Sequence, residues 1–152
     1  MLQIAGNELL KTLGPRRVIE TKDVDLVLRA RPIVDSLAGW RTLTDDPRGQ
    51  CLDQIVVWAM LDREAFTLAE LILHLTSLAG RTAVPVDALQ SSLQRLDLAF
   101  ILGEDAGVYS WRVPLFRTRR QLEAPGEQLR EQLSRLETLQ AQMTPVSATN
   151  PI

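Results

Sequence analysis

Residues 85–113 read PVDALQSSLQRLDLAFILGEDAGVYSWRV, and this stretch decides the fold class. Pro85 suits the first turn of a helix, where a missing N–H costs nothing. Apolar residues then recur at helical spacing, at Val86, Leu89, Leu93 and Leu96. The spacing predicts a helix over about 85–97.

The second half of this stretch has the composition of a β-hairpin. Residues 99–102 are apolar, residues 108–113 are rich in β-branched and aromatic side chains, and Gly103 to Gly107 lie between them. Such runs on both sides of a glycine-containing turn are typical of paired antiparallel strands. We therefore predict strands near 99–102 and 108–113, joined by a five-residue turn.

Two further helices precede this stretch. The run from Leu52 to Leu61 is strongly apolar and predicts a helix near 51–61. Thr67 and Glu70 match a capping box, which predicts a helix over 67–79. Three helices followed by a hairpin give the order of a winged helix, a helix-turn-helix core with a β-wing.

The rest of the chain adds helices at both ends of this core. Leucines and Gly14-Pro15 predict a helix near 2–13, and Thr21 is the expected N-cap of another near 22–30. The polar loop around Asp46-Pro47 is the expected subdomain boundary. We expect a mainly α chain with three parts: a helical subdomain (1–48), a winged-helix domain (49–122), and a C-terminal helix with a flexible tail (123–152).

Composition excludes several classes of protein. One cysteine and one histidine cannot form a disulfide or a Cys/His metal cluster. The eight glycines are scattered and form no phosphate-binding loop, so we expect no cofactor and no ATPase activity from this chain alone. No apolar run is long enough to cross a bilayer and no signal peptide is evident, which predicts a cytoplasmic protein with no membrane partner.

Several short segments resemble the C-terminal region of AAA-type and STAND-like P-loop ATPases. Phe100-Ile101-Leu102 followed by YSWRVPLF at 109–116 is similar to the end of the winged-helix domain in such proteins. Residues 2–10 and 18–24 are similar to the last helices of their lid. The resemblance implies that an ATPase core lies upstream of Met1 and that this chain is a regulatory part of the larger protein.

Two side chains could suggest catalysis. His74 lies within the leucine-rich second core helix, where a partly buried structural histidine is the simpler interpretation. Cys51 precedes an apolar helix and could be an activated thiolate, but a buried apolar role is the simpler interpretation here too. We therefore expect no catalytic residues.

Charge leaves two binding hypotheses open. Residues 51–110 carry three basic and eight acidic side chains, which favours protein contacts over DNA. DNA binding through the third helix remains the alternative. The candidate contact residues for either partner are Gln90, Ser91, Gln94, Arg95, Arg112, Arg117, Arg119 and Arg120. The last four form the one basic cluster, and pairing with Glu123, Glu127 and the acidic middle region is their alternative role.

The C-terminal helix predicted at about 126–143 carries a heptad pattern. Apolar residues recur at Leu122, Leu129, Leu136 and Met143, with Leu133 four residues after Leu129. Such a stripe either joins two chains or packs on its own chain. The candidate homodimer seam is Leu129, Leu133, Leu136 and Met143.

Overall fold

A computed structural model describes residues 2–15, 18–31, 38–79 and 84–143. Within these ranges the chain is mainly helical, as the sequence predicted, and its one three-stranded antiparallel sheet includes a hairpin where the sequence predicted one. The helices are α1 (Leu2–Leu13), α2 (Thr21–Arg29), α3 (Pro47–Met60), α4 (Leu68–Ala79), α5 (Val86–Leu98), α6 (Pro114–Gln121) and α7 (Pro125–Met143), with a short 3-10 helix over Ala38–Thr42. The strands are β1 (Ala65–Thr67), β2 (Leu102–Asp105) and β3 (Val108–Trp111). A short helical connection is predicted from the sequence over 33–41; its first five residues, and the tail predicted after Met143, lie outside the described residues.

Helix α3 is the centre of the core. Every residue from Cys51 to Met60 is buried, and α4, α5, α7 and the 3-10 helix all contact this helix. It begins at Pro47, four residues before the predicted start, because the Asp46 carboxylate accepts hydrogen bonds from the backbone N–H groups of Arg48 and Gly49. That cap turns the second half of the predicted polar loop into helix. The expected boundary between residues 48 and 49 therefore falls inside α3.

The sheet has the order β1-β3-β2, with β3 antiparallel to both neighbours. Phe66 on β1 lies opposite Tyr109 on β3, and their rings stack with centroids 5.8 Å apart. Strand β1 was not predicted, because three residues are too few to show alternation. The predicted capping box directly after it is present: the Thr67 N–H donates to Glu70, and the Glu70 N–H donates to Thr67 Oγ1.

The hairpin starts three residues later than predicted. The Phe100 N–H donates to Asp97 O and the Ile101 N–H donates to Leu96 O, so residues 99–101 close the end of α5 instead of forming a strand. Phe100 adopts a left-handed conformation, with φ of 59°, which is usual for glycine at this position. The turn between β2 and β3 is correspondingly short, Ala106 and Gly107, instead of five residues.

The N-terminal helices match their predicted positions to within a residue, and they contact each other. The N-cap of α2 is Glu20 and not Thr21. The Glu20 N–H donates to the buried carboxylate of Asp23, the third residue of the helix. Val27 of α2 and Trp40 of the 3-10 helix belong to the same apolar core as α3. The N-terminal part is thus joined to the remainder through one shared core.

Candidate interaction surface

Helix α5 separates into an inner and an outer face. Leu89, Leu93 and Leu96 are buried against the core, as the helical spacing required. The outer face consists of side chains that are all exposed: Asp87, Gln90, Ser91, Gln94 and Leu98. This face therefore presents two amides, a hydroxyl, one acid and one leucine, and no cation. Three of the predicted contact residues, Gln90, Ser91 and Gln94, lie together here.

Arg95, the fourth predicted contact on α5, is bound by its own chain. Its Nη2 donates to Asp53 Oδ1 over 2.7 Å and its Nε donates to Asp53 Oδ2 over 3.0 Å. The Asp53 side chain on α3 is fully buried, and Ser92 Oγ donates to the same carboxylate. A buried carboxylate needs such a partner, because an unpaired charge in the core is costly. The positive charge of Arg95 is therefore neutralised inside the chain. The sequence did not predict this, because Asp53 comes close to Arg95 only in the folded structure.

A cavity of about 450 Å³ opens beside this ion pair. Its walls come from the first turns of α3, one side of α5 and the end of α7, and they include Arg48, Leu52, Ala88, Arg95 and Met143. Arg48 Nη1 donates to Met143 Sδ over 3.4 Å. A thioether is a weak acceptor, so this contact adds little to the stability of the chain.

The hairpin tip is acidic. Glu104 accepts a hydrogen bond from the Gly107 N–H over 2.6 Å, and Asp105 beside it is exposed. Arg112, after β3, donates to Asp97 over 2.9 Å and lies over the Phe100 ring at 5.2 Å from its centroid. The predicted contact Arg112 is therefore paired with the end of α5.

Arg117 closes the C-terminal end of α3. Its Nε donates to Leu61 O over 2.8 Å, and its Nη2 donates to Asp62 O over 3.2 Å. Carbonyl groups at a helix end lack partners within the helix, and a basic side chain supplies them. This predicted contact residue therefore has an internal role in the structure.

Arg119 and Arg120 converge with Arg41 on a single carboxylate, that of Glu123. Arg120 donates to Glu123 over 2.9 Å, Arg41 over 3.4 Å, and Arg119 lies 3.6 Å from it. The Arg120 guanidinium also packs over the rings of Trp40 and Phe116, at 5.8 and 5.5 Å from their centroids. Burial, and then the nearby Arg41 and Arg119, lower the Arg120 pKa, while Glu123 opposes that shift. Glu123 was predicted as a partner of the basic cluster, but the contribution of Arg41 was not, because it lies 82 residues away in sequence.

The four arginines from 112 to 120 thus occupy three separate surroundings: the end of α5, the end of α3, and the carboxylate of Glu123. Sequence proximity predicted one basic patch, and tertiary structure divides it. The prediction did not account for the hydrogen-bond acceptors that lie close to each arginine in the folded chain. Sequence spacing does not reveal these acceptors.

The predicted dimer seam faces the chain's own core. Leu129 and Leu136 are buried, and Leu133 packs against that core, where α7 lies along α3. Met143 is exposed and lines the cavity. These leucines therefore pack on their own chain, which is the alternative to a dimer. Helix α3 offers α7 an apolar surface for this packing.

Cys51 lies on α3 and His74 on α4, and the two side chains differ in burial. Cys51 is fully buried, its Sγ donates to Gln132 O, and burial raises its pKa to about 11. A thiol of that kind is a poor nucleophile at neutral pH. His74 is half-buried on α4. No group of three metal-ligating side chains occurs among the described residues.

Within the described ranges, no helix is both long and apolar enough to cross a bilayer. Comparison with known proteins gives no relative of this chain: no protein-family model, no curated protein and no solved structure matches it.

Proposed function

We propose that this chain is a winged-helix module that works through protein contacts and has no catalysis of its own. The winged-helix part of the proposal is supported by the element order α3-β1-α4-α5-β2-β3 and by the strand order β1-β3-β2. The proposal assigns the role of the recognition helix to α5 and that of the wing to the β2–β3 hairpin.

The observation that carries the choice of partner is the charge of the α5 outer face. The one arginine of α5, Arg95, is neutralised by buried Asp53, and the only exposed charge of the outer face is that of Asp87. The hairpin tip adds Glu104 and Asp105. DNA affinity depends mainly on cations placed against phosphates, and this surface supplies none. Amides, a hydroxyl and an exposed leucine suit a protein surface instead.

We further propose that the parent protein is a P-loop ATPase whose nucleotide-binding core is supplied from outside this chain. The support is the sequence resemblance together with the two helices, α1 and α2, that precede the winged-helix part. The coding sequence upstream of Met1 tests this directly: the proposal expects a P-loop there, and an intergenic region contradicts it. Purified chain should hydrolyse no nucleotide.

The alternative is a DNA-binding regulator. Gln90, Ser91 and Gln94 favour it, because they lie side by side on the exposed face and because amides and hydroxyls can bind base edges. A double-stranded DNA titration across a salt series decides between the two. We expect no binding even at low salt, whereas binding with a steep salt dependence supports the alternative.

The protein-contact proposal has its own test in two equally exposed leucines. Leu98 on the α5 face and Leu73 on α4 are 71% and 72% exposed. If the upstream coding region supplies an ATPase core, that core is produced as a separate chain and its binding is measured by analytical ultracentrifugation. We expect Leu98→Glu to abolish the complex and Leu73→Glu to leave it intact. Equal effects of the two changes, or none, would remove α5 as the contact face.

A further inference from the structure

Arg41, Arg119, Arg120 and Glu123, here called the Glu123 cluster, are unbalanced in charge. Three guanidinium groups lie within 3.6 Å of one carboxylate. No other carboxylate of the described residues forms an ion pair with these arginines. The cluster therefore retains two positive charges. The other predicted contact arginines, Arg95, Arg112 and Arg117, each have acceptors of their own.

The same place holds an excess of hydrogen-bond donors. Arg120 and Trp40 are only 3% and 4% exposed. The Nε groups of Arg119 and Arg120 and the Nε1 group of Trp40 are buried and have no acceptor. All three are donors, and a buried donor without a partner carries its full desolvation cost. A water molecule could satisfy some of them but could not compensate the charge.

The cluster is closed on one side and open on the other. The side chain of Arg120 is 4% exposed and forms its inner part, between Trp40 and Phe116. The side chains of Arg41 and Glu123 are 42% and 20% exposed, so solvent reaches the outer part. An approaching group would meet the exposed Arg41 first and the more buried guanidinium groups after it.

We propose that the Glu123 cluster binds a phosphate group. The group must be an anion rich in acceptors, because the cluster lacks acceptors and holds uncompensated cations. A phosphate dianion matches the two excess charges and offers three or more oxygens to guanidinium donors, which suit phosphate geometry. A monocarboxylate would leave one charge uncompensated. This inference does not depend on the protein-contact proposal, since it concerns another surface.

The first test uses inorganic phosphate and thermal unfolding at pH 7.5, with sodium chloride of equal ionic strength as the reference. A ligand that binds only the folded state raises the melting temperature, and at ten times its Kd the rise for a chain of this size is about 3 °C. We expect this rise at about 10 mM phosphate in the unmodified chain. Arg41→Gln should abolish it without unfolding the protein, because Arg41 is partly exposed. The control variant is Arg135→Gln, which changes an exposed arginine of α7 outside the cluster and should retain the rise.

Glu123→Gln separates binding from a merely structural role. This variant loses the internal carboxylate, so its melting temperature without phosphate should fall. Its phosphate-dependent rise should grow, because the excess charge increases from two to three. A structural role alone predicts the fall without the growth. Phosphate should also shift the NMR resonances of the Arg119 and Arg120 Nε–H groups.

Two additional probes define the ligand class. Acetate at matched ionic strength should give a much smaller rise than phosphate. Phenyl phosphate tests the source of the group: tighter binding than inorganic phosphate indicates a monoester carried by a larger molecule, and equal binding indicates the free anion. An equal response to acetate, or a phosphate response that persists in Arg41→Gln, identifies an adventitious ion only and overturns the proposal.

Discussion

Arg95 on α5 binds both carboxylate oxygens of Asp53 and so joins that helix to the central helix α3. The carboxylate is buried, and a cation three-quarters removed from solvent neutralises it. Replacing one member of such a pair leaves a charge in the core, whereas replacing both with apolar side chains does not.

The first prediction concerns this ion pair. Arg95→Met should lower the free energy of unfolding by about 2–4 kcal/mol, less than for a fully buried pair because Arg95 is partly exposed. The double variant Arg95→Met/Asp53→Leu should recover most of that loss. Urea unfolding measures both. The single variant Asp53→Leu completes the comparison. If the double variant loses as much unfolding free energy as the two single variants together, the ion pair contributes no coupling energy.

The second prediction is a pH dependence set by Cys51. Burial raises its pKa from 9.0 to about 11, so between these values the unfolded chain loses the thiol proton while the folded chain keeps it. Stability contributed by the protonated thiol is complete below pH 9 and is lost as pH rises toward 11, by about 2–3 kcal/mol.

The control variant is Cys51→Ala. It has no thiol, so it cannot show the loss of unfolding free energy that Cys51 causes, although its other groups still titrate. The difference between the two pH profiles of unfolding free energy isolates the thiol. Parallel profiles from pH 8 to 11 would contradict the assignment. Disulfide-exchange reagents should modify the native thiol only after unfolding.

The third prediction concerns the hairpin turn. Ala106 and Gly107 both have positive φ, of 49° and 82°, which strains alanine and suits glycine. Turns of this type favour Asn-Gly. Ala106→Asn should therefore stabilise the protein by about 0.5 kcal/mol, and Gly107→Ala should destabilise it by about 1 kcal/mol. Chemical denaturation gives both values, and effects of the same sign would show that backbone strain does not decide them.

The fourth prediction distinguishes intrachain packing from a dimer. Leu136→Ala should destabilise the protein by about 2–5 kcal/mol, because the side chain is fully buried against the core of its own chain. The midpoint of urea unfolding should not depend on protein concentration, for the variant or the unmodified chain. A midpoint that rises with concentration would show that α7 also joins two chains.

Local patterns predicted helices because their signals lie within a few residues. The leucine spacing of α5 and the Thr67–Glu70 box both appear in the structure. The predicted start of β2 was wrong. The apolar residues 99–101 have the composition of a strand, yet their backbone N–H groups donate to carbonyls of α5 and end that helix. Nothing in their side chains distinguishes these two uses.

The candidate surface was less predictable than the fold. The exposed amides of α5 follow from helical periodicity alone. Whether Arg95 is free depends on Asp53, 42 residues earlier, and the surroundings of Arg120 depend on Arg41 and Trp40. Such long-range pairings decide whether an arginine is neutralised or remains a cation, and sequence spacing carries no information on them.

The placement of Trp40 has a consequence for folding cooperativity. Its ring lies edge-on to Trp58 and Phe116, at 5.6 and 5.5 Å between centroids, although it belongs to the segment before α3. Removing residues 1–48 would therefore open a tryptophan-sized void beside the central helix, and would expose its apolar lining to water. The N-terminal segment and the helices that follow should melt as a single cooperative unit, with one calorimetric transition.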